Sequence, residues 1–438
     1  MDPVTLGMAK ADAKKRYATI IDLSSTQRQV PVPVATRATP PMDNAVGLSD
    51  GTIVGGTAKY AHVAVRTCFG IQLAYSNFFS GASNTEQDGP NPITIRAAVE
   101  PFGNVIMPVT FNGARSIVIE PGCTVLSDPV GVDIIKGATF WSRTHVSVTA
   151  GQKFPRSGIP VASSGEGHNY GTTLGADLTA TGSASLTGQN VNSHALGPSA
   201  ILGKVIDPGK PVIGLPGDSI MAGTGDAPYI GFAQRALGGN YSFQKVAYPG
   251  EAMSGWANVA NNTGLTRFRR LGLLGRVAMT HILTDYTVNS VAVTTLLADA
   301  VVMWLSFARF GVPVYQTTLT PQTTSTDAWA TVANQSLFRA QADEDRRVAF
   351  NTWLRDGAPV NGVTPQAPGA SGAGIVRAGS VGHPLAGIVE VADLAESARN
   401  SGRWKAGYTA DGTHPNPTGA AALSAAINPT ALFGPVAA

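Results

Sequence analysis

The stretch Val212-Ile213-Gly214-Leu215-Pro216-Gly217-Asp218-Ser219 decides how most of this sequence folds. Its first four residues form a compact apolar run, which is typical of a short strand buried on both faces of a sheet. Four similar runs follow, at residues 243–247, 278–283, 312–318 and 387–391. Candidate helices alternate with them, at residues 229–237, 291–310, 329–354 and 392–400. This alternation predicts an α/β domain over residues 211–438, with five parallel strands and helices on both faces.

The preceding region, residues 51–160, has a different pattern. Runs rich in β-branched and aromatic residues recur about every ten residues. Turn sequences separate them, including Asp88-Gly89-Pro90, Asn112-Gly113 and Pro121-Gly122. No stretch with a helical period interrupts the series. Short runs joined by such turns predict an all-β sandwich.

The two remaining segments have the composition of extensions or connections. Within residues 1–50, a basic stretch at residues 3–17 has the apolar spacing of a short helix. The proline-rich residues 30–41 (VPVPVATRATPP) are expected to break regular structure. Two interpretations of this extension stay open: it packs on a partner subunit or a larger assembly, or it is a loosely ordered arm. Residues 161–210 are rich in Ser, Thr and Gly, which predicts a linker or a long loop.

The composition excludes several classes of protein. Charged residues make up 13% of the 438 residues, the net charge is +3, and the Lys and Arg residues are scattered. A nucleic-acid groove needs a dense basic face, so we expect no nucleic-acid partner. No run of about 20 apolar residues occurs, which predicts no membrane span. The first residues lack the apolar core of a standard signal peptide. Low charge with much Gly, Thr and Ser favours an extracellular or virion-associated protein.

Cysteine and histidine usage gives no sign of a metal site. Two cysteines, Cys68 and Cys123, are too few for a metal cage or a disulfide framework. Both fall in the predicted β region, so one bridge and two free buried thiols both agree with the sequence. The seven histidines do not have the spacing of metal ligands. We therefore expect neither a metal nor another cofactor.

Two short motifs place reactive residue types at the carboxyl edge of the predicted sheet, where such folds keep their sites. Ser219 follows the first strand and enters a helix, whose N-terminal N–H groups stabilise an anion. Near the end of the chain, Asp411-Gly412-Thr413-His414 places an aspartate three residues before a histidine, across a tight turn. A carboxylate there can accept the Nδ1 proton and leave Nε2 as a base. Each motif taken alone also fits an ordinary turn.

Together these motifs resemble the SGNH, or GDSL, family of serine esterases. Gly250 follows the second strand and Asn289 follows the third, and both stand at the family's oxyanion-hole positions. The sequence departs from the family at Lys245, where an Asn is usual, and at Thr287 and Ser290, where the family has Gly and Asp. The resemblance implies a flavodoxin-like parallel sheet. In some members a β domain precedes it, and here that would be a jelly-roll-like sandwich.

The resemblance implies acyl transfer without a cofactor. Ser219 would attack the ester carbonyl, His414 would serve as base and then as acid, and Asp411 would orient His414. The backbone N–H groups of Ser219 and Gly250 and the Asn289 side chain would hold the oxyanion. The expected substrates are O-acyl esters of carbohydrate, such as O-acetyl esters, or other short-chain esters.

An alternative function stays open beside the esterase. The chain could be a structural, receptor-binding or glycan-binding protein of a particle that retains a degenerate hydrolase domain. A phage or prophage tail protein is one hypothesis for the whole chain, with homo-oligomer or particle assembly through the N-terminal extension.

Three further residues are weaker candidates. Asp285 follows the third strand and either supports Asn289 or is structural. His383 is a candidate for the rim of the pocket. Trp404 either packs beneath the histidine turn or lines the pocket.

Overall fold

The structure is a computed structural model that describes residues 31–41, 48–80, 86–102, 105–180, 186, 194–205, 209–257, 268–286, 288–292 and 294–435. It is a mixed α/β protein with several separate sheets, which confirms the class expected from the sequence. The predicted helix at residues 3–17 lies outside the described residues.

Antiparallel strands make up the first part of the described chain. Their bounds are β1 Val32–Pro33, β2 Gly55–Val63, β3 Cys68–Ser76, β4 Phe78–Ser80, β5 Glu86–Asp88, β6 Ile93–Glu100, β7 Met107–Pro108, β8 Ile117–Ile119, β9 Thr124–Leu126, β10 Val130–Ile134, β11 Thr139–Ser147, β12 Gly167–His168 and β13 Ala200–Val205. One sheet has the order β1-β13-β3-β10, with β9 also on β3. A second has the order β12-β2-β11-β6-β7, with β8 also on β6, and β4 pairs with β5.

The two larger sheets share one apolar core. The Tyr75 hydroxyl on β3 lies 2.9 Å from Thr144 Oγ1 on β11, so side chains of the two sheets meet. Buried apolar residues of both sheets, such as Ile71 on β3 and Val146 on β11, belong to a single cluster. Side chains of the two sheets therefore contact each other in an apolar core that continues into the later part of the chain.

Two segments predicted to be irregular contain strands. The linker prediction for residues 161–210 is wrong at Ala200–Val205, which pairs with β1 on one side and β3 on the other. The Ser/Thr/Gly-rich average of that segment hid this short apolar run. The prediction for residues 30–41 is wrong at Val32–Pro33, which pairs with β13. Proline is tolerated there because a strand at a sheet edge leaves one row of N–H groups unpaired.

The second part of the chain contains a parallel sheet. The strands of this part are β14 Val212–Leu215, β15 Ser242–Lys245, β16 His281–Thr284, β17 Val314–Thr317, β18 Thr323–Ser325, β19 Gln335–Leu337, β20 Val360–Asn361, β21 Thr364–Pro365, β22 Ile375–Val376 and β23 Gly387–Val389. Five of them form the parallel sheet in the order β15-β14-β16-β17-β23, and each overlaps a predicted apolar run. The order reverses at β14, so a crevice is expected at its carboxyl end.

Helices occupy most of the predicted positions in this part. They are α1 Ser219–Ala222, α2 Gly231–Leu237, α3 Ser254–Ala257, α4 Phe268–Arg276, α5 Leu296–Ala308, α6 Gln341–Arg355, α7 Ala392–Ala395, α8 Pro417–Ser424 and α9 Pro429–Phe433, with 3-10 helices at Ala162–Ser164 and Val288–Ser290. Within the described residues, none has the combined length and apolarity of a membrane-crossing helix.

The predicted helix at residues 329–354 begins only at Gln341. The residues before it form the β18–β19 hairpin and its loop. In that loop the Asp327 carboxylate accepts hydrogen bonds from Ser325, Thr331 and Asn334. Such local side-chain bonds offer the chain an alternative to a helix, which explains the shorter α6.

A hydrogen bond of Arg37, which is also paired with Glu166, and a buried ion pair join the antiparallel part to the parallel-sheet part. Arg37 Nη2 lies 2.7 Å from Glu166 Oε2, and its Nη1 donates to the carbonyl of Pro228 at 2.8 Å. At a second place, Arg270 Nε on α4 lies 2.5 Å from the buried Glu86 carboxylate on β5. Buried charges cost desolvation free energy that only specific pairing offsets. The two parts are therefore held in one relative position by directional contacts as well as by apolar packing.

The cysteines are not bridged. Cys68 is buried on β3 and Cys123 is exposed, so the disulfide alternative is wrong, and so is the burial expected of Cys123. Burial, together with the negative charge of Asp133, raises the pKa of the Cys68 thiol to about 12. The thiolate is the reactive form, so Cys68 is unreactive in the folded protein.

We expect a thiol reagent such as Ellman's reagent to modify one cysteine in the native protein and two in denaturant. The Cys123→Ser variant should show no reactive thiol until it unfolds. Rapid modification of Cys68 in native Cys123→Ser would contradict the burial described above.

Candidate active site

Ser219 lies at the carboxyl end of β14, as the first residue of α1, and is 8% exposed. The Asp218 carboxylate caps this helix by accepting a hydrogen bond from Ile220 N at 2.9 Å. Gly217 is required because a Cβ there would lie 2.4 Å from the carbonyl oxygen of Asp285 on the neighbouring segment. The close approach of the two backbones thus brings the Ser219 hydroxyl to the sheet edge.

The structure brings His414 and Asp411 to Ser219. His414 Nε2 lies 2.7 Å from Ser219 Oγ, and His414 Nδ1 lies 2.7 Å from Asp411 Oδ2. Burial acts to raise the pKa of Asp411, but hydrogen bonds from His414 and Thr413 outweigh it and hold that pKa well below its ordinary value. The ionised carboxylate favours the proton on Nδ1 and leaves Nε2 to accept from Ser219.

The turn that carries His414 is held by several hydrogen bonds. Thr409 Oγ1 donates to the carbonyl of His414 at 2.8 Å and accepts from Gly412 N at 2.9 Å. Trp404 Nε1 and Thr323 N both donate to the Gly412 carbonyl at 2.9 Å. Trp404 is completely buried and packs beneath the turn, so the interpretation that it lines the pocket is wrong.

We expect Gly412→Ala to displace this turn. Gly412 has a φ of +80°, and a Cβ there would lie 1.8 Å from the Thr323 carbonyl oxygen. The variant should lose more than about 2 kcal/mol of unfolding free energy, as measured by urea titration. Gly407→Ala is the matched control, because Gly407 has a φ of +74° but open space around its Cβ. Equal losses in the two variants would show that the close contact at Gly412 is unimportant.

Gly250 and Asn289 reach the same place from two neighbouring loops. Gly250 has a φ of +83° in the turn where Glu251 N donates to the Tyr248 carbonyl. Asn289 Nδ2 donates to Asp218 Oδ2 at 3.2 Å and to the Glu251 carbonyl at 3.3 Å. Both residues line one cavity together with Ser219 and His414, and Asp411 lies behind His414. The structure therefore brings together the five residues expected to form the triad and the oxyanion hole.

A buried ionic network lies behind the Gly250 turn. Arg270 donates to both carboxylate oxygens of Glu251, at 2.8 and 3.1 Å, and to the Glu86 carboxylate at 2.5 Å. The Tyr286 hydroxyl donates to Glu251 Oε2 at 2.9 Å. Glu86 and Arg270 are 184 residues apart, so no local pattern in the sequence could have paired them. Through this network the antiparallel part supports the turn that carries Gly250.

Asp285 is structural. Its buried carboxylate accepts a hydrogen bond from Thr317 Oγ1 on β17, not from Asn289, and its backbone bridges to Gly217. Burial and then the negative charge of Asp218 raise the pKa of Asp285 well above its ordinary value. The folded chain therefore keeps a proton on Asp285 at a pH where the unfolded chain has lost it.

This proton makes stability depend on pH. The folded state binds more protons than the unfolded state above about pH 4, so the Asp285 contribution to the free energy of unfolding falls as the pH rises. Asp285→Asn keeps the shape without the titration, so we expect its stability relative to wild type to increase between about pH 4 and pH 8. Urea unfolding across this range measures the difference. A difference independent of pH would mean that Asp285 is ionised in the folded protein.

A cavity of about 500 Å³ opens in front of Ser219, which is a typical size for a small-molecule site. The parallel-sheet part contributes one wall, which includes Ser219, Gly250, Asn289 and His414. The antiparallel part and the N-terminal stretch contribute the opposite wall, through residues that include Arg37, Tyr60, Ile159 and Pro198. The sequence did not indicate that these two parts share a site.

Lys245, the departure from the family pattern, also lines this cavity. Its Nζ donates to the carbonyls of Ala222, Tyr229 and Ile230 at 3.3, 2.9 and 2.6 Å. Burial and then the positive charge of Arg37 lower the pKa of Lys245 to about 7. The unusual residue at this position was the one sequence signal that could have marked it as part of the site.

His383 does not line the cavity, so the hypothesis that it forms the rim is wrong. Its Nε2 instead lies 2.9 Å from the carbonyl oxygen of Ala358. In the part of the chain that the structure describes, no group of three or more His, Cys, Asp or Glu side chains could hold a metal ion.

No family model and no curated protein matches this chain. Similar solved structures include a salicylyl-acyltransferase from a tetracycline biosynthetic pathway (12% identity, 84% of this chain and 79% of that chain, TM-score 0.29). A second is an active-site mutant of a family two carbohydrate esterase from Clostridium thermocellum (9% identity, 90% of this chain and 95% of that chain, TM-score 0.31). A third is an acetyl xylan esterase from the rumen bacterium Butyrivibrio proteoclasticus (11% identity, 68% of this chain and 80% of that chain, TM-score 0.23). Identities and TM-scores this low assign neither a family nor an activity to this chain.

Proposed function

We propose that this protein is a serine esterase of SGNH type. The observation that carries the proposal is the hydrogen-bonded chain from Asp411 through His414 to Ser219, which ends at a cavity. A serine hydroxyl is a weak nucleophile until a base accepts its proton, and a histidine base needs a third group to fix its tautomer. Both contacts are 2.7 Å long, which is a normal hydrogen-bond distance for such groups.

The reaction proceeds in two acyl-transfer steps. Ser219 Oγ attacks the ester carbonyl carbon while His414 Nε2 takes the hydroxyl proton. The tetrahedral intermediate then collapses, the bond to the alcohol oxygen breaks, and His414 returns the proton to that oxygen. Water attacks the acyl-enzyme in the second step, again with His414 as base, and releases the acid and free Ser219. Asp411 stays ionised throughout and stabilises the imidazolium.

The oxyanion is held by the backbone N–H groups of Ser219 and Gly250 and by the Asn289 side chain. Asn289 Nδ2 donates two long hydrogen bonds, of 3.2 and 3.3 Å. As negative charge develops on the substrate oxygen, a hydrogen bond to that oxygen would replace one of them. One donor of this kind is typically worth about 3–4 kcal/mol of transition-state stabilisation. The buried Glu251–Arg270 pair supports the turn that presents Gly250.

We propose O-acyl esters of carbohydrate, with acetyl or another short acyl group, as the substrate class. A cavity of about 500 Å³ is much larger than a short acyl group, so it leaves room for a bulky alcohol. The wall contributed by the antiparallel part is where such an alcohol would be recognised.

The proposal includes the domain organisation. The parallel order β15-β14-β16-β17-β23 supports a flavodoxin-like hydrolase domain in residues 211–438. The shared core of the two antiparallel sheets supports a jelly-roll-like sandwich in residues 51–160, extended by β1 and β13. Assembly with a partner or a particle through residues 1–50 remains a separate hypothesis.

We expect the protein to hydrolyse p-nitrophenyl acetate and butyrate, and Ser219→Ala and His414→Ala each to lower kcat by at least about 10³-fold. The Ser219→Ala/His414→Ala double variant should lose little more than either single variant, because the two residues act as one unit. Steady-state kinetics with circular dichroism as the folding control measure both effects.

Ser336→Ala, at an exposed position on β19 outside the cavity, is the control and should keep wild-type kinetics. Equal weak activity in wild type, Ser219→Ala and His414→Ala would overturn the esterase proposal. A glycan-binding or structural role would then explain the retained fold better, and a glycan-binding screen would be the next experiment.

A further inference from the structure

A second cavity, of about 490 Å³, adjoins the one that contains Ser219. Ile159, Thr224 and Tyr229 line both cavities and separate them. We propose that the second cavity is a subsite for the alcohol part of the ester whose carbonyl lies at Ser219. This inference rests on the proposed esterase function and deepens it, because it states which half of the substrate is selected.

The position of His414 decides which half of the ester reaches the second cavity. The leaving oxygen receives its proton from His414, so the alcohol lies on the histidine side and the carbonyl oxygen on the side of Gly250 and Asn289. Gly225 lines the second cavity and packs on the histidine, since a Cβ there would lie 2.8 Å from His414 Cβ. Gly250, Asn289 and His414 line the first cavity only, so the contact of Gly225 with His414 is what places the second cavity on the histidine side. The alcohol therefore extends towards the second cavity.

The lining of the second cavity fits a ring with an apolar face. Its aliphatic and aromatic side chains are those of Ile159, Pro160, Val161, Ala162, Ala227 and Tyr229. The one charged residue in the lining, Asp226, is neutralised by Arg235, with contacts of 2.5 and 2.6 Å, and accepts from Gly231 N at 2.9 Å. An aryl alcohol and the CH face of a sugar ring share the chemistry that such a lining recognises.

The partition between the cavities is held rigidly. Tyr229 has a φ of +64°, a strained value that persists only where the surroundings enforce it. Lys245 Nζ donates to the Tyr229 carbonyl at 2.9 Å, and Arg37 Nη1 donates to the Pro228 carbonyl at 2.8 Å. The Arg37 guanidinium also lies 5.5 Å from the centre of the Tyr229 ring. A preformed subsite of this kind binds without the entropic cost of ordering a loop.

Two tryptophan variants test the subsite. Ala162→Trp places a large ring in the second cavity, whereas Ser163→Trp adds the same ring one residue later, outside the lining. Hydrolysis is followed by pH-stat with 2-naphthyl acetate, a mono-O-acetylated methyl glucoside, ethyl acetate and ethyl octanoate. These esters vary the alcohol at fixed acetate and the acyl chain at fixed ethanol.

We expect Ala162→Trp to lower the ratio of kcat/KM for a ring-bearing acetate to that for ethyl acetate by about tenfold, mainly through KM. Ser163→Trp should keep the wild-type ratio. If this ratio falls for both ring-bearing acetates, the subsite recognises the apolar face that the two rings share. If it falls only for 2-naphthyl acetate, the subsite selects an aryl alcohol, and if it falls only for the acetylated glucoside, it selects a sugar alcohol. A loss confined to ethyl octanoate, or equal ratios in the two tryptophan variants, would overturn the proposal.

A binding measurement separates this inference from the function on which it rests. Calorimetry with 2-naphthol and the Ser219→Ala protein needs no turnover, and adding Ala162→Trp should raise Kd about tenfold. If Ala162→Trp weakens 2-naphthol binding but the wild type shows no hydrolysis that depends on Ser219, the esterase function is overturned and the second cavity is a ring-binding site. Unchanged affinity would overturn the subsite even if the esterase activity is present.

Discussion

The hydrogen bond between His414 Nε2 and Ser219 Oγ is the contact on which the rest of the site depends. It joins residues 195 positions apart, so it exists only if both ends of the parallel-sheet part meet at one edge. Gly217 allows β14 to approach the segment after β16, and Gly412 allows the histidine turn to approach Thr323. The 2.7 Å distance between His414 Nε2 and Ser219 Oγ therefore depends on close backbone contacts at Gly217 and Gly412, which a Cβ at either position would prevent.

A second constraint comes from the seam between the antiparallel and parallel-sheet parts. Arg37, Glu86 and Arg270 are charged side chains in or beside this seam. The free-energy cost of their desolvation is offset by ion pairs between residues far apart in the sequence, Arg37 with Glu166 and Arg270 with Glu86. The same contacts set the walls of both cavities and the turn that carries Gly250. The shape of both cavities is therefore inseparable from the packing of the two parts, although the candidate nucleophile and base come from only one of them.

Several sequence predictions failed for reasons that lie in tertiary context. Ala200–Val205 forms a strand between β1 and β3, and its polar surroundings in the sequence disguised it. Val32–Pro33 pairs at a sheet edge, where a missing N–H is harmless. The expected N-terminal part of α6 is a hairpin loop organised by the Asp327 carboxylate. In each case a long-range pairing or a local side-chain bond outweighed the composition of the segment.

The sequence by itself determined the mixed α/β class, the positions of the five parallel strands and the choice of Ser219, Asp411 and His414. These features are local: apolar runs mark buried strands, and a turn of fixed length sets the spacing of Asp411 and His414. Only the tertiary structure decided that Arg37 and Tyr229 line the cavity, that Glu86 supports the Gly250 turn, and that a second cavity adjoins the first. Those relations depend on side-chain packing between segments far apart in the chain, which no local periodicity or spacing encodes.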